Sequence, residues 1–191
     1  MRVLIACEYS GKVRDAFAKR GHFAMSCDLL SSDNPKHGVH YVGDVLDVIS
    51  NGWDLMIAFP PCTHLAVSGA RWFPEKRADG RQQQGIDFFM ALANAEIPKI
   101  AIENPVGIMS TKWRKPNQII QPYEFGHDAS KKTCFWLKNL PELIPTDIIK
   151  KDRYANQTPS GQNKLGPSAD RWKLRSETYQ GIADAMATQW N

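Results

Sequence analysis

The 191-residue sequence contains no apolar run long enough to cross a membrane, and its first residues lack the features of a signal peptide. Its four cysteines stand far apart, with no Cys-x-x-Cys pair and no histidine at the spacing of a zinc site. These absences argue against a membrane protein, a disulfide framework and a metal site. We therefore expect a cytoplasmic protein without a metal, in which a thiol is available for chemistry.

Charge is distributed unevenly along the chain, although the formal net charge is only +4. Residues 111–175 contain 13 Lys and Arg against 6 Asp and Glu, whereas the remainder of the chain is slightly acidic. A basic half beside a neutral-to-acidic half is typical of a protein that contacts an anionic polymer on one side. A solvated basic surface explains the charge alone equally well.

Short apolar segments alternate with amphipathic ones through the first half of the chain. Strands are predicted over residues 3–6, 23–27, 39–42, 53–59 and 100–102. Helices are predicted over residues 13–20, 82–94 and 177–189. Residues 118–125 and 133–137 are predicted to form a late antiparallel hairpin.

This alternation predicts an α/β fold with a mostly parallel, doubly wound sheet and helices on both faces. The length suits a single domain over residues 1–191. Residues 138–175, rich in Pro, Gly, Asn and Lys, are predicted to be an irregular insertion within that domain.

Four reactive or acidic side chains follow predicted strands, namely Asp28, Asp44, Cys62 and Glu103. Ligands of parallel α/β sheets bind at the carboxyl ends of the strands. We therefore expect these four side chains to share one edge of the sheet.

Cys62 comes directly after two prolines, and Glu103 comes directly before Asn104. Taken singly, the Cys62 motif fits a structural turn with an inert thiol equally well, and the Glu103 motif fits a helix start or a salt-bridge partner better than a catalytic acid. Together, a thiol and a carboxylate at one edge are the groups needed to attack a pyrimidine ring. Addition of a thiolate at C6 makes C5 of cytosine nucleophilic, and an acid at N3 stabilises the charge that this addition creates.

Over nearly its whole length the chain resembles the DNA cytosine C5-methyltransferases. Pro61-Cys62 resembles their Pro-Cys nucleophile motif, and Glu103-Asn104 begins a stretch similar to their Glu-Asn-Val motif. The resemblance implies a methyltransferase-type sheet and transfer of a methyl group from S-adenosylmethionine to C5 of a flipped-out cytosine in DNA. The catalytic residues that it implies are Cys62, Glu103, Asn104 and Lys131, the last of these standing where the family has arginine.

The resemblance also implies a site for S-adenosylmethionine at the ends of the first three strands. Asp28 matches the acid that holds the cofactor ribose, and Asp44 matches the acid near the adenine. The expected cofactor-binding residues are Tyr9, Ser10, Gly11, Asp28, Leu29, Asp44, Val45 and Pro60. The family's Phe-x-Gly-x-Gly loop is only partly preserved, because Tyr9 stands at its first glycine and Gly11 at its second.

Basic and aromatic residues follow the nucleophile in the segment 68–81, which we expect to be a loop. Such a loop could close over a flipped base, with Trp72 stacking and the arginines binding phosphate, although an ordinary polar loop fits too. The expected substrate-binding residues are Pro61, Thr63, His64, Arg71, Trp72, Arg77 and Arg81. The stretch 171–173 repeats the basic and aromatic pattern, and a solvated charge cluster explains that stretch equally well.

The insertion at 138–175 is too short for the separate target-recognition domain that members of the family carry. Sequence recognition is therefore expected to be loose, to come from a partner or an oligomer, or to be unnecessary. Three alternatives stay open at this point: the same chemistry on a free cytosine nucleotide or an RNA base, a catalytically silent nucleic-acid-binding or regulatory module, and an unrelated cysteine hydrolase that uses His64 or His127.

Overall fold

A seven-stranded mixed sheet organises the protein in the computed structural model, which describes residues 1–35, 38–166, 168 and 171–191. Its strands are β1 (Arg2–Ala6), β2 (Phe23–Asp28), β3 (Val39–Val42), β4 (Leu55–Ala58), β5 (Lys99–Pro105), β6 (Gln118–Ile120) and β7 (Thr133–Lys138). The order across the sheet is β3-β2-β1-β4-β5-β7-β6. Strands β1 to β5 are parallel, and β7 is antiparallel to both β5 and β6. The predicted α/β class, with a mostly parallel sheet and a late antiparallel pair, is therefore confirmed.

In the part of the chain that the structure describes, six α-helices accompany the sheet: α1 (Lys12–Ala18), α2 (Phe73–Ala78), α3 (Arg81–Ala93), α4 (Met109–Lys112), α5 (Arg171–Ser176) and α6 (Gln180–Gln189). Short 3-10 helices cover Val45–Asp47, Val67–Trp72 and Pro122–Glu124. Among the described residues, no helix has both the length and the apolar character that crossing a membrane requires.

Alternate side chains of the strands point into two apolar layers, as the two-residue period of a strand requires. In β1, Val3 and Ile5 belong to the layer that contains the apolar faces of α1 and α6. Leu4 and Ala6 belong to the opposite layer, which contains the apolar face of α3. The central strands are thus buried on both sides, which explains why their sequences are almost uniformly apolar.

The strand order reverses between β1 and β4, because β2 and β3 lie on one side of β1 while β4 and β5 lie on the other. The carboxyl ends of strands on either side of such a reversal leave a crevice in which ligands bind. The loop that follows β1 and the segment that follows β4 meet there, and they contain the predicted cofactor loop and Cys62.

Several boundaries differ from the sequence-based expectation. Strand β5 does not end before Glu103 but continues to Pro105, because β7 pairs with it as far as Thr133. Proline is tolerated at the last position of a strand, where no further ladder bond is needed. The segment 68–81 is largely helical rather than a loop, and Pro74 stands in the first turn of α2, where its missing N–H costs nothing.

The described residues between β7 and α5 form no helix or named strand, and they are bound closely to the connection between β6 and β7. Residues 167, 169 and 170 of the predicted insertion lie outside the described residues. The N–H of Gly126 donates to the Asp147 carbonyl at 2.7 Å, and the N–H of Ile149 donates to the Tyr123 carbonyl at 2.8 Å. The rings of Tyr123 and Tyr154 stack with their centroids 4.5 Å apart. The end of the predicted insertion is helical, since it forms α5.

Helix α6 begins in close contact with the connection between β6 and β7. The N–H of Gly181 donates to Nε2 of His127 at 2.8 Å. A Cβ atom at position 181 would lie only 1.9 Å from the Phe125 carbonyl oxygen. Glycine is therefore required here by the close approach of two backbones.

We expect Gly181→Ala to lower the free energy of unfolding by about 1–3 kcal/mol or more, because a methyl group must push two backbones apart. Gly166→Ala is the matched control, since no described atom lies within 4 Å of its Cβ position. That control should change stability by no more than about 0.5 kcal/mol. Urea unfolding followed by circular dichroism measures both, and equal losses would contradict this packing of α6.

Candidate active site

A buried hydrogen bond fixes the segment that leads into Cys62. Strand β4 ends at Ala58, and the carbonyl oxygen of buried Pro60 accepts a hydrogen bond from Nδ2 of Asn104 at 2.8 Å. Asn104 belongs to β5 and is 1% exposed, so water cannot replace this bond. The approach to the thiol is thereby tied to the strand that carries Glu103.

The segment that follows Cys62 is also attached to the end of β5. The Cys62 carbonyl accepts from the N–H groups of Leu65 and Ala66 at 3.0 and 2.9 Å, which closes a tight turn. The Leu65 carbonyl then accepts from the N–H of Ile108 at 2.9 Å. A Cβ atom at Gly107 would lie 2.5 Å from that carbonyl oxygen, so this contact requires glycine. Cys62 is consequently anchored to β5 on both sides.

Two buried polar side chains that sequence reasoning did not single out hold the next residues. Nζ of Lys76 in α2 donates to the Thr63 carbonyl at 2.5 Å. Nε2 of Gln82 in α3 donates to the His64 carbonyl at 3.2 Å. The sequence gives little indication of these two roles, because Lys and Gln are ordinary residues on the polar face of a helix.

The charges of Glu103 and Lys131 both act on the Cys62 thiol. Burial raises the pKa of the Cys62 thiol, the Glu103 charge raises this pKa further, and Lys131 lowers it, as does Arg175. Burial also raises the pKa of Glu103, and Lys131 opposes that shift. The thiol is therefore protonated at neutral pH in the free protein, and the proton-bound form of Glu103 is favoured.

A small cavity opens beside these groups at the edge of the sheet. Glu103 and Lys131 line it together with Phe59 and Tyr179. Nζ of Lys131 donates to the Arg175 carbonyl at 2.9 Å, so the ammonium group is held at the cavity wall. An acid, a cation and two aromatic rings thus surround one space.

The loop after β1 is built around a carboxylate that sequence reasoning did not assign. Glu8 is 5% exposed, and its two oxygens accept from the N–H groups of Val13 and Arg14 at 2.8 and 3.3 Å. The hydroxyl of Ser10 donates to the same carboxylate at 3.0 Å. The amino end of α1 is therefore capped by the chain itself, and it does not offer the open anion site that binds a dinucleotide pyrophosphate.

Backbone conformation sets the shape of this loop. Gly11 has a φ of 75°, which glycine adopts without strain. Cys7 has a φ of 59°, a left-handed conformation that costs a non-glycine residue about 1 kcal/mol. The second glycine of the expected motif is thus retained where the backbone needs it.

Tyr9 occupies the position of the motif's first glycine, and its side chain is buried against α5. Its hydroxyl donates to the Lys173 carbonyl at 3.1 Å and lies 2.9 Å from the Ser176 hydroxyl. The ring is 6.1 Å from that of Trp172. Tyr9 therefore supports α5 above the loop.

The two expected cofactor acids converge on the end of β1. The charges of Asp28 and Asp44 both raise the pKa of the Cys7 thiol, although burial has the larger effect. Asp28 accepts from the N–H of Leu30 at 3.0 Å, and Asp44 accepts from the N–H of Leu46 at 3.0 Å. Each carboxylate retains further acceptor capacity towards a ligand. Of their neighbours in the predicted site, Leu29 is exposed and Val45 is buried.

The expected substrate-binding residues do not all share one environment. Arg71 lies over the ring of Trp72 at 4.8 Å, and both side chains are exposed, as are Pro61, Thr63 and Arg77. Arg81 is engaged in ion pairs with Glu75 and Asp79. His64 is half-buried, and burial lowers its pKa.

No cluster of three or more His, Cys, Asp and Glu side chains suited to a metal occurs in the part of the chain that the structure describes. Comparisons of the chain with protein-family models and with curated proteins find no match.

The ionisation of Cys62 provides a test that needs no substrate. Lys131→Met removes a cation that lowers the pKa of the thiol, so the midpoint of its alkylation should move to higher pH. Glu103→Gln removes a charge that raises this pKa, so the midpoint should move to lower pH. Iodoacetamide labelling across a pH series, quantified on the Cys62 peptide by mass spectrometry, measures both shifts.

Lys132→Met is the control for this experiment, because Lys132 is the exposed neighbour of Lys131. It should leave the midpoint of Cys62 unchanged. Equal shifts in the two lysine variants would show that Lys131 has no specific relation to the thiol.

Asn104→Ala should lower the free energy of unfolding by about 1–3 kcal/mol, because the Pro60 carbonyl would stay buried without a donor. The Cys62 segment should also loosen, so that its thiol reacts faster with iodoacetamide. Asn51→Ala, at an exposed position, is the control and should cost no more than about 0.5 kcal/mol. If the Asn104 variant were as stable as the control, the bond from Asn104 to Pro60 would not be what stabilises the site.

Proposed function

We propose that this protein transfers a methyl group from S-adenosylmethionine to C5 of cytosine in DNA, through a covalent bond between Cys62 and C6. The observation that carries the proposal is the buried bond from Asn104 to the Pro60 carbonyl. It ties the thiol segment to the strand that bears the acid, which is the arrangement that attack on a pyrimidine requires.

Each residue of the site has a chemical role in this reaction. The Cys62 thiol releases its proton to solvent as its sulfur bonds to C6 of the cytosine. Glu103, whose pKa is raised by burial, donates a proton to N3 and so neutralises the charge that the addition creates. Lys131 stabilises the thiolate and limits the rise in the pKa of Glu103. Once C5 carries the methyl group, its proton passes to solvent and the N3 proton returns to Glu103, so that the sulfur leaves C6 as a thiolate and the aromatic ring is restored.

The residues at the ends of β1, β2 and β3 suit S-adenosylmethionine better than a phosphate-containing cofactor. Glu8 already caps α1, and Asp28 and Asp44 add two more carboxylates at this edge. Carboxylates accept hydrogen bonds from ribose hydroxyls and an amino group, and they favour a positive charge. When bound, S-adenosylmethionine supplies a methyl group activated by a positively charged sulfur. Asp28, Asp44 and the backbone around Gly11 would hold it, with Leu29, Val45 and Pro60 as apolar neighbours.

The surface next to the thiol supports a nucleic-acid substrate. Arg71 and Arg77 are exposed beside Trp72, and all three belong to the helical segment that follows Cys62. Exposed cations bind phosphate and an exposed aromatic ring stacks on a base. A flipped cytosine would enter beside Glu103 and Lys131, where the cavity of about 10 Å³ must widen to admit the ring.

A catalytically silent nucleic-acid-binding module is a second candidate, and one observation favours it. The Tyr9 side chain occupies space that glycine would leave open beside the expected cofactor.

Incubation with tritiated S-adenosylmethionine and duplex DNA, single-stranded DNA, RNA or dCMP separates the candidates. Label on duplex DNA supports the proposal, label on dCMP or RNA alone transfers the chemistry to another substrate, and DNA binding without label identifies a silent module.

Cys62→Ser should abolish turnover and the covalent trapping of DNA that contains 5-fluorocytosine, because oxygen does not replace the sulfur nucleophile. Trapping is measured as a complex that survives a denaturing gel. Cys134→Ala is the control, since Cys134 is a buried residue of β7 and should be dispensable for trapping. Undiminished trapping by the Cys62 variant would reject the assignment of the nucleophile.

A further inference from the structure

We propose that α5 is a nucleic-acid contact surface that holds the polynucleotide next to the target base. This inference rests on the proposed function and adds a surface to it. In this chain, α5 would supply part of the contact with the strand that carries the target base.

The backbone of α5 is fixed on two sides of the site. The Tyr9 hydroxyl, from the loop after β1, donates to the Lys173 carbonyl at 3.1 Å. Nζ of Lys131, which lines the cavity with Glu103, donates to the Arg175 carbonyl at 2.9 Å. The helix therefore spans from the expected cofactor loop to the cavity wall.

Two ion pairs hold the same segment from outside. Nζ of Lys173 lies 2.8 Å from Asp33, and Nζ of Lys12 lies 2.7 Å from Glu177. Lys173 also lies 5.4 Å from the centre of the Tyr9 ring. Although α5 is short, its position is thus defined by contacts with three other parts of the chain.

The outer face of α5 combines cations with an aromatic ring. Trp172 packs one side of its ring near Tyr9 and remains 56% exposed, and Leu174 is 55% exposed. Arg175 is exposed, and its charge lowers the pKa of the Cys62 thiol, in agreement with its place beside the cavity. A fixed indole ring flanked by guanidinium groups is suited to stacking on a base while the adjoining phosphates are neutralised.

Charge favours a polynucleotide over a protein partner at this surface. Lys173 is already paired with Asp33, which leaves Arg171 and Arg175 as the cations of the outer face. The stretch 111–175, which includes most of α5, carries 13 Lys and Arg against 6 Asp and Glu. Such an excess of positive charge suits an anionic polymer that presents its bases one at a time.

The test measures the binding of fluorescein-labelled duplex and single-stranded oligonucleotides by anisotropy over a series of salt concentrations. Trp172→Ala should weaken binding by about tenfold, since it removes a stacking ring. Arg175→Ala should lower the slope of log K against log salt by about one, since it removes one phosphate contact. Arg20→Ala, at an exposed position two residues after the end of α1, is the matched control and should change neither quantity.

Circular dichroism of each variant verifies its fold, and Arg175→Glu serves as a second variant that should weaken binding more than Arg175→Ala. Unchanged affinity of the Trp172 and Arg175 variants overturns the α5 surface, even if the wild type methylates DNA. The variants could lose binding while the wild type neither methylates nor traps any substrate. That result would support the α5 surface and reject the proposed chemistry. Dependence of vesicle binding on Trp172, without any DNA binding, overturns the proposal in favour of a lipid surface.

Discussion

The pairing of β4 with β5 is the constraint on which the candidate site depends. Four consecutive residue pairs align the two strands, and the bond from Asn104 to the Pro60 carbonyl extends that alignment past the end of β4. Because β7 pairs with β5 as far as Pro105, the acid stands on a strand held from both edges. The acid thus stands on the sheet, and the thiol follows β4 on a segment bonded to the same strand. This attachment positions the two groups more accurately than free loops would.

Much of the sheet could be predicted from the sequence, because buried parallel strands produce apolar runs that stand out. The strand over Val39–Val42 and the helix that ends near Ala93 have nearly the predicted bounds. The continuation of β5 through Glu103 could not be foreseen, since it depends on β7, which is distant along the chain. For the same reason the sequence did not indicate that residues 146–149 pair with the connection between β6 and β7.

At the candidate site, residue chemistry pointed to Cys62 and Glu103, and the family resemblance added Lys131; in the structure the charges of Glu103 and Lys131 both act on the pKa of the Cys62 thiol. The supporting side chains of Lys76 and Gln82 were missed, because a lysine or glutamine that turns inward to a backbone carbonyl resembles any other polar residue of a helix. Glu8 was missed because its role depends on the orientation of α1 rather than on a motif. The sequence does show Tyr9 at a glycine position, but only the structure shows that its hydroxyl supports α5.

The double attachment of α5 has a thermodynamic consequence. Tyr9, in the loop expected to hold the cofactor, and Lys131, at the cavity wall, bond to carbonyl groups of α5 that are only two residues apart, Lys173 and Arg175. A ligand that displaces α5 from one of these contacts must therefore also disturb the other. By linkage, the factor by which one ligand changes the affinity for a second equals the factor by which the second changes the affinity for the first. For the two ligands of the proposed function, this six-residue helix would make the two binding equilibria interdependent.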